Sequence, residues 1–184
     1  MSRVLGFVGW PCAGKDKAAE YLQRAYDAKW YGHSSFIWAL TRSSTHAVTT
    51  SDLSALFEAR ASHAGYGWIA QAVREQVRRL WESDPHRPVI VTGVRNVEEV
   101  EVYRDLPGFQ LVNLEADRDL RFRRLQARRR PGEADLTWNQ FVTIEALPGN
   151  RNVPDVLALA DRVVENNGTP EDLYRALDAL MSGA

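Results

Sequence analysis

Short apolar runs alternate with amphipathic segments along this 184-residue chain. Val4–Val8 and Pro88–Gly93 are rich in apolar residues, which is typical of strands that are buried on both faces of a sheet. Between such runs, apolar residues recur every three or four positions, and this spacing predicts amphipathic helices. Because the two patterns alternate, we expect an α/β fold in which a five-stranded parallel sheet lies between two layers of helices.

The boundaries follow from these periods and from Gly, Pro and capping residues. The predicted strands are Val4–Val8, Trp30–Ser34, Pro88–Gly93, Phe109–Glu115 and Arg162–Glu165. The predicted helices are Lys15–Ala28, Ser35–Ser44, Asp52–Ala61, Trp68–Glu82, Asn96–Asp105, Asp117–Arg130, Trp138–Ala146, Asn152–Ala160 and a last helix that Thr169 caps and Pro170 opens. We interpret residues 1–184 as a single domain, since the length suits one hydrophobic core.

Composition narrows the choice of compartment. The chain is 45% hydrophobic and 26% charged, as globular proteins are, and its formal net charge of −1 gives no general attraction to nucleic acid or membranes. Cys12 is the one cysteine, so no internal disulfide forms and a reducing environment is expected. With no apolar run near the roughly 18 residues that span a bilayer and no signal-peptide pattern, we expect a cytoplasmic protein, either monomer or homodimer.

The segment after the first strand carries the strongest chemical signal. Gly9-Trp10-Pro11-Cys12-Ala13-Gly14-Lys15 fits the pattern G-x-x-x-x-G-K. Such a loop turns its backbone N–H groups toward phosphate oxygens, and the helix that begins there adds the positive end of its dipole. The loop therefore predicts ATP binding, with Lys15 on the β- and γ-phosphates. The alternative is a glycine-rich turn that only joins a strand to a helix.

Asp16 departs from the usual form of this pattern. Ser or Thr normally follows the lysine and gives its hydroxyl to Mg²⁺. A carboxylate is also a good ligand for Mg²⁺, either directly or through water. We therefore expect Asp16 to hold the metal; the alternative is that it only complements the helix dipole.

Arginines follow at positions that suit phosphate binding. Arg95 comes directly after the strand Pro88–Gly93, and ligands of parallel sheets bind beyond the carboxyl ends of the strands. Arg121, Arg124 and Arg128 are spaced so that they share one helix face. Arginine binds phosphate bidentately and stabilises the charge that spreads over a transferred phosphoryl group. The alternative for each arginine is a solvated basic face paired with neighbouring acids.

These motifs resemble the nucleoside and nucleotide monophosphate kinases among the P-loop proteins. Gly14-Lys15-Asp16 is similar to the deoxynucleoside monophosphate kinases of bacteriophages, and Gly93-Val94-Arg95-Asn96 and residues 160–169 are similar to dephospho-CoA kinases. The resemblance implies ATP and Mg²⁺ as cofactors and a nucleotide-like small molecule as the phosphate acceptor. It also implies an acceptor-binding insertion at about 33–68 and a small Arg-rich lid at about 121–140.

Individual roles follow from the motifs and the resemblance together. The expected catalytic residues are Lys15, Arg95, Arg124 and Arg128. The expected contacts of the bound nucleotide are Gly9, Pro11, Cys12, Ala13, Gly14, Lys15, Asp16, Lys17, Arg124, Asn167 and Gly168. The expected acceptor contacts are Ser34, Phe36, Arg42, Arg60, Trp68 and Arg95. The insertion is dense in aromatic residues, whose faces stack on nucleobases.

Two departures from the family bear on the acceptor. Thr92 stands where many relatives carry an acidic residue, and Gly32-His33-Ser34-Ser35 lacks the aspartate base of dephospho-CoA kinases. A hydroxyl acceptor benefits from a base, whereas a monophosphate is already an anionic nucleophile. The sequence therefore favours transfer to a nucleoside monophosphate, including a deoxynucleotide or modified nucleotide.

Two other functions stay open at this point. With His33 or Asp52 as a base, the acceptor would be a hydroxyl, either of dephospho-CoA or of a hydroxymethylated base in DNA. Nucleic acid is a partner only in the second of these cases. The chain would otherwise be a regulatory module that binds ATP without turnover.

Overall fold

The computed structural model describes residues 3–41, 48–128 and 135–183, and within them five parallel strands form one sheet. The strands are β1 (Val4–Val8), β2 (Lys29–Gly32), β3 (Val89–Thr92), β4 (Phe109–Glu115) and β5 (Arg162–Glu165). Their order is β2-β3-β1-β4-β5, and each neighbouring pair is parallel. The central strand β1 therefore ends between β3 and β4, with the loop from Gly9 directly beyond it.

Helices connect these strands. They are α1 (Lys15–Tyr26), α2 (His33–Ala39), α3 (Thr50–Ala64), α4 (Trp68–Ser83), α5 (Val97–Arg104), α6 (Arg118–Arg128), α7 (Trp138–Glu145), α8 (Val153–Leu157) and α9 (Pro170–Ser182), with a 3₁₀ turn, Pro148–Asn150, after α7. Thr169 caps α9 by accepting a hydrogen bond from the N–H of Asp172, as the sequence predicts. None of the helices in these three ranges is both long enough and apolar enough to cross a bilayer.

The core lies on both faces of the sheet because successive strand residues point to opposite sides. On one face, Val4 and Val89 pack with side chains of α3, α4, α5 and α8, among them Val73 of α4. On the other face, Leu5 and Ile90 pack with α1 and α9. The predicted three-layer α/β/α arrangement, with its parallel sheet, is confirmed.

Several boundaries differ from those predicted because polar contacts, and not apolar periodicity, set them. The strand predicted to reach Ser34 ends at Gly32, and α2 begins at His33. His33 is 3% exposed and is held by polar contacts to α5. Helix α3 starts at Thr50, earlier than Asp52, because Thr49 and Asp52 form a capping box. Helix α1 ends at Tyr26, two residues before Ala28, because Asp27 adopts a left-handed conformation.

Two predicted features extend past the described ranges. Residues 42–47 include Arg42, a predicted acceptor contact, and the end of the predicted helix Ser35–Ser44. Residues 129–134 include part of the predicted lid. The predictions for these positions therefore lie outside the described residues.

Gly93 gives a test of the junction between β3 and the loop that follows it. Its φ is +89°, and a Cβ at this position would lie 3.1 Å from the Cβ of His33. Gly93→Ala should therefore lower the free energy of unfolding by about 2 kcal/mol, from backbone strain plus crowding. Urea denaturation would measure the loss.

Gly65→Ala is the matched control for this prediction. Gly65 also has a positive φ, of +79°, but among the described residues no atom beyond its two chain neighbours lies within 4 Å of a Cβ built there. Its substitution carries the backbone strain without the crowding, so the loss should be smaller. Equal losses in the two variants would show that His33 does not press against Gly93.

Candidate active site

A cavity of about 780 Å³ lies beyond the carboxyl ends of the strands, where Gly14, His33, Gly93 and Asn166 line it. Its volume suits a small-molecule ligand. Among the described residues, the lining holds five basic side chains, namely Lys15, Lys17, Arg95, Arg124 and Arg128. It holds three acidic ones, namely Asp16, Glu20 and Glu99. The cavity is therefore positively charged and suits an anionic ligand.

The loop from Gly9 to Lys15 forms one end of the cavity and has the curled backbone that the motif predicts. Cys12 and Gly14 have φ values of +63° and +105°, and α1 begins immediately afterwards. The side-chain amide of Asn166 donates a hydrogen bond to the carbonyl of Ala13 at 2.8 Å. A Cβ at position 14 would collide with that amide, so this close packing requires Gly14.

Lys15 reaches back across the loop. Its Nζ donates hydrogen bonds to the carbonyl oxygens of Gly9 at 2.7 Å and Trp10 at 2.9 Å. Burial of the ammonium, together with the charge of Arg95, lowers the pKa of Lys15 to about 8. A bound phosphate would favour the charged ammonium, because it would replace neutral carbonyls with an anion.

Arg95, which follows β3, and Arg124, on α6, both line the cavity. The Nη1 of Arg95 is 3.4 Å from the carbonyl oxygen of Gly149, and burial lowers the pKa of this guanidinium. The Nη2 of Arg124 donates to the carbonyl of Asn166 at 3.0 Å. The Nη1 of Arg124 is buried without a hydrogen-bond partner among the described residues. Leaving a buried donor unpaired costs free energy, and an anionic ligand that accepts its hydrogen bond would remove that cost.

Arg121 differs from Arg124 and Arg128, the two arginines predicted to share its helix face. It is 5% exposed and does not line the cavity. Its guanidinium pairs with Glu145 of α7 at 2.5 Å and lies over the rings of Trp10 and Phe141. The structural alternative, pairing with an acid, therefore holds for Arg121, whereas Arg124 and Arg128 line the cavity.

Apolar side chains from helices outside the phosphate loop also line the cavity. We call this surface the apolar wall; it consists of Ile37, Leu53, Phe57, Ile144 and Leu147. Ile37 lies on α2, Leu53 and Phe57 on α3, Ile144 on α7, and Leu147 between α7 and the 3₁₀ turn. Such a surface suits the ring or sugar portion of a ligand whose charged portion lies at the basic end.

Only part of the predicted acceptor set lies here. Ser34 and Arg95 line the cavity, whereas Phe36, Arg60 and Trp68 do not. Phe36 and Trp68 instead pack against the core, and the guanidinium of Arg60 lies 5.8 Å from the Trp68 ring centroid. For these three residues the acceptor contact stays a prediction; Arg60 is exposed, whereas Phe36 and Trp68 are partly buried against the core. The aromatic segment contributes Phe57 in their place.

The predicted nucleotide contacts are better grouped. Of these predicted contacts, the ones that line the cavity are Pro11, Cys12, Gly14, Lys15, Asp16, Lys17, Arg124 and Gly168. Gly9 and Ala13 belong to the supporting backbone of the loop, where their carbonyls accept hydrogen bonds. Asn167 does not line the cavity, because its side chain hydrogen-bonds with Asp117, and its nucleotide contact stays a prediction. Its neighbour Asn166 lines the cavity instead. Asn166 directly follows β5, and this position beyond the carboxyl end of a parallel strand could have identified it from the sequence.

Asp16 fits a particular kind of magnesium site. Among the described residues, no group of three His, Cys, Asp or Glu side chains converges to hold a metal. Asp16 lines the cavity, and its charge acts against the lowering of the pKa of both Lys15 and Arg95. Mg²⁺ is commonly held by one or two carboxylates, phosphate oxygens and water, and one carboxylate at this place meets that requirement. Thr92, which stands where many relatives carry an acidic residue, has a different environment from Asp16: its hydroxyl accepts a hydrogen bond from the Trp30 indole at 3.0 Å.

The family model AAA_18, described as an AAA domain, matches residues 5–140. The chain belongs to the AAA_18 family. The match covers the phosphate loop, the sheet through β4 and helix α6. The site described above therefore belongs largely to the segment that defines the family.

Two curated relatives show how much of the AAA_18 protein their similarity covers. It is similar to a "UPF0200 protein" of Staphylothermus marinus, with 31% identity over 111 residues, 60% of this chain and 56% of that protein. It is also similar to a "UPF0200/UPF0201 protein" of Archaeoglobus fulgidus, with 24% identity over 181 residues, 97% of this chain and 55% of that protein. The chain thus spans just over half the length of these two curated relatives.

Solved structures identify the fold. The shikimate kinase from Acinetobacter baumannii, solved in complex with shikimate, superposes with a TM-score of 0.61 and 17% sequence identity. The superposition covers 100% of this chain and 94% of the kinase. The AAA_18 protein therefore has a P-loop kinase-like fold, as predicted, and the narrower resemblance to phage enzymes stays a prediction.

The lowered pKa of Lys15 gives a pH test of the phosphate loop. The empty protein should lose this proton near pH 8, whereas bound ATP should hold it on the ammonium. ATP affinity should therefore fall as pH rises above about 8, and binding at pH 9 should take up about one proton. Calorimetry in buffers of different ionisation enthalpy would measure that uptake.

Lys15→Arg is the control for the pH test, because a guanidinium stays charged throughout this range. Its binding should show no proton uptake that begins near pH 8. Identical pH profiles for this variant and the parent protein would mean that Lys15 does not contact the phosphates.

Proposed function

We propose that this AAA_18 protein is an ATP-dependent kinase that transfers the γ-phosphoryl group to a nucleoside monophosphate. One observation carries the proposal: a single cavity joins the phosphate loop to the apolar wall and is lined by Arg95, Arg124 and Arg128. A donor phosphate at the loop and an acceptor against the wall would then meet among these guanidiniums. Such positioning and neutralisation of charge account for most of the catalysis of phosphoryl transfer.

The basic end suits the triphosphate of ATP. The backbone of the loop and the Lys15 ammonium would hold the β- and γ-phosphates. The unpaired Nη1 of Arg124 would supply a further donor for the phosphate chain. Asp16 would hold Mg²⁺, whose charge, when the metal is bound, neutralises phosphate oxygens during transfer.

The polar contacts of the candidate bases favour a phosphate acceptor over a hydroxyl acceptor. His33 has its Nε2 2.6 Å from the Tyr103 hydroxyl, and its Nδ1 lies 3.2 Å from a carboxylate oxygen of Glu99. Nε2 and the Tyr103 hydroxyl share one hydrogen bond, so Nε2 is not open to a substrate hydroxyl while that contact holds. Asp52 is occupied too, because it accepts hydrogen bonds from the N–H and hydroxyl of Thr49.

An acceptor monophosphate needs no base, because it is already ionised at neutral pH. Arg95 and Arg128, which line the cavity, would offset the repulsion between its charge and that of the γ-phosphate. The apolar wall, including the ring of Phe57, suits the nucleobase and sugar. These features together support a nucleoside monophosphate.

A hydroxyl acceptor is the second candidate, and His33 is the observation that favours it. His33 lines the cavity beside the Glu99 carboxylate, and such a pair can act as a general base once its Nε2 is released. This candidate requires the Tyr103 hydroxyl to move away from His33. Dephospho-CoA and a hydroxymethylated base in DNA are the acceptors of this class.

A coupled assay of ADP release over a panel of acceptors tests the choice. The panel holds ribonucleoside and deoxyribonucleoside monophosphates, dephospho-CoA and hydroxymethylated DNA. We expect turnover with at least one monophosphate, and Lys15→Ala should lower it about 10³-fold through loss of a charge on the transferred group. Lys29→Ala, which removes a lysine at the amino end of β2, should leave the rate unchanged.

The remaining outcomes of the panel separate the other functions. Turnover with only the last two acceptors would replace the monophosphate proposal by the hydroxyl one. ATP binding with no turnover on any acceptor would identify a nucleotide-binding module.

Asp16 supports a prediction about the metal requirement. Asp16→Ala should raise the Mg²⁺ concentration that gives half of the maximal rate, because a ligand of the hard cation is lost. Asp16→Thr restores the hydroxyl of the usual loop pattern and should bring the requirement back toward that of the parent protein. If the alanine variant has an unchanged Mg²⁺ curve, Asp16 is only a residue of the helix start.

A further inference from the structure

Glu99 is a buried carboxylate that the proposed reaction does not use. It lies on α5 and is 1% exposed. Its Oε2 accepts two backbone hydrogen bonds, from the N–H of Arg95 at 2.7 Å and from the N–H of Asn96 at 3.1 Å. A buried carboxylate is costly unless such bonds compensate it, so the loop that carries Arg95 is built around this side chain.

The other oxygen of the carboxylate faces the acceptor side of the cavity. Its Oε1 lies 3.2 Å from the Nδ1 of His33, the first residue of α2. The next residue, Ser34, lines the cavity, and so does Ile37 of the apolar wall. One carboxylate therefore joins the Arg95 loop to the start of the helix that forms part of the wall.

These contacts exceed what a helix cap requires. A capping box needs the side chain at the third helical position to accept the N–H of the N-cap residue, here Asn96, and glutamine serves as well as glutamate. The bond from the Arg95 N–H and the approach to His33 are additional. Both are strengthened by a full negative charge, which glutamine lacks.

The charge of Glu99 also acts on the Arg95 guanidinium. Burial lowers the pKa of Arg95, and the negative charge of Glu99 is the strongest influence that raises it again. Glu99 thus fixes the backbone of Arg95 and balances the charge of its guanidinium. The Nη1 of the same guanidinium lies 3.4 Å from the carbonyl oxygen of Gly149.

We propose that Glu99 is a positioning residue that orients Arg95 toward the acceptor phosphate and fixes its separation from α2. This inference rests on the proposed function, in which Arg95 contacts that phosphate. Glu99 also lines the cavity, but this role does not depend on a contact with the substrate. It acts through the Arg95 backbone and through His33.

Glu99→Gln tests the proposal, because it keeps the helix cap and removes the charge. The probe is inorganic phosphate, titrated into protein saturated with Mg²⁺ and a non-hydrolysable ATP analogue, so that the phosphate loop is filled. The readout is the NMR signal of the Arg95 side-chain Nε–H, assigned by its loss in Arg95→Lys. We expect phosphate affinity at Arg95 to fall about tenfold in Glu99→Gln, as expected for losing a charge-assisted contact.

Glu98→Gln is the matched control. Glu98 is the neighbouring residue on α5, but its side chain is exposed. Its substitution removes the same charge and should leave phosphate affinity unchanged. In an Arg95→Ala background, where no side-chain cation is left to position, Glu99→Gln should cause no further loss of phosphate affinity, measured there by calorimetry, whereas a merely structural role would add its own loss.

The outcomes separate this inference from the proposed function. Phosphate affinity equal in Glu99→Gln and the parent protein overturns the positioning role and leaves the kinase proposal intact. If the parent protein binds the ATP analogue but Arg95 does not respond to phosphate, the role of Arg95 as an acceptor contact fails, and the positioning role fails with it. Should Glu99→Gln not fold, Glu99→Asp keeps the charge but shortens the reach to the Arg95 N–H, and the same weakening is expected.

Discussion

Lys15, Arg95 and Arg124 bring positive charge into a cavity where water solvates it less well than at the protein surface. Burial lowers the pKa of each of these groups, so each needs polar partners to keep its place. Lys15 has the carbonyls of Gly9 and Trp10, Arg95 has the charge of Glu99, and Arg124 has the carbonyl of Asn166. Much of the architecture around the cavity can be understood as the set of partners that this charge requires.

The partners come from segments that are distant in the chain. Asn166 follows β5 and holds the phosphate loop through Ala13. Arg121 on α6 holds the same loop near Pro11 and Trp10, and Glu145 on α7 holds Arg121. The loop after β1 is therefore supported from the far edge of the sheet and from the helices that precede the 3₁₀ turn. Two of these partners, Glu145 and Asn166, lie beyond residue 140, where the match to the family model ends.

The sequence was sufficient for the features that depend on local pattern. The sheet, the order of the elements and the placement of Lys15 follow from apolar periods and from one loop motif. The sequence did not show which of two nearby residues of the same type lines the cavity, because that depends on which of them has a hydrogen-bond or ion-pair partner elsewhere in the fold. Arg121 and Arg124 share a helix face by spacing, but Glu145 pairs with the first and leaves the second to the cavity. Asn166 and Asn167 are adjacent, yet only the first reaches the loop, because the second pairs with Asp117. Arg60 and Trp68 suit a ligand surface by type, but they contact one another.

The curled shape of the phosphate loop is held by contacts within the protein itself. Cys12 and Gly14 already have left-handed backbone conformations, and the long Lys15 side chain is already ordered by two carbonyls. A flexible lysine would lose rotamer freedom on binding, at a cost of about 0.5–1.5 kcal/mol. In this protein, folding itself orders the Lys15 side chain against two carbonyls. A bound phosphate would replace those carbonyls as the hydrogen-bond acceptor, and the side chain would lose little further rotamer freedom. Discrimination between phosphate ligands would then depend on the enthalpy of replacing two carbonyls and not on the entropy of closing a loop.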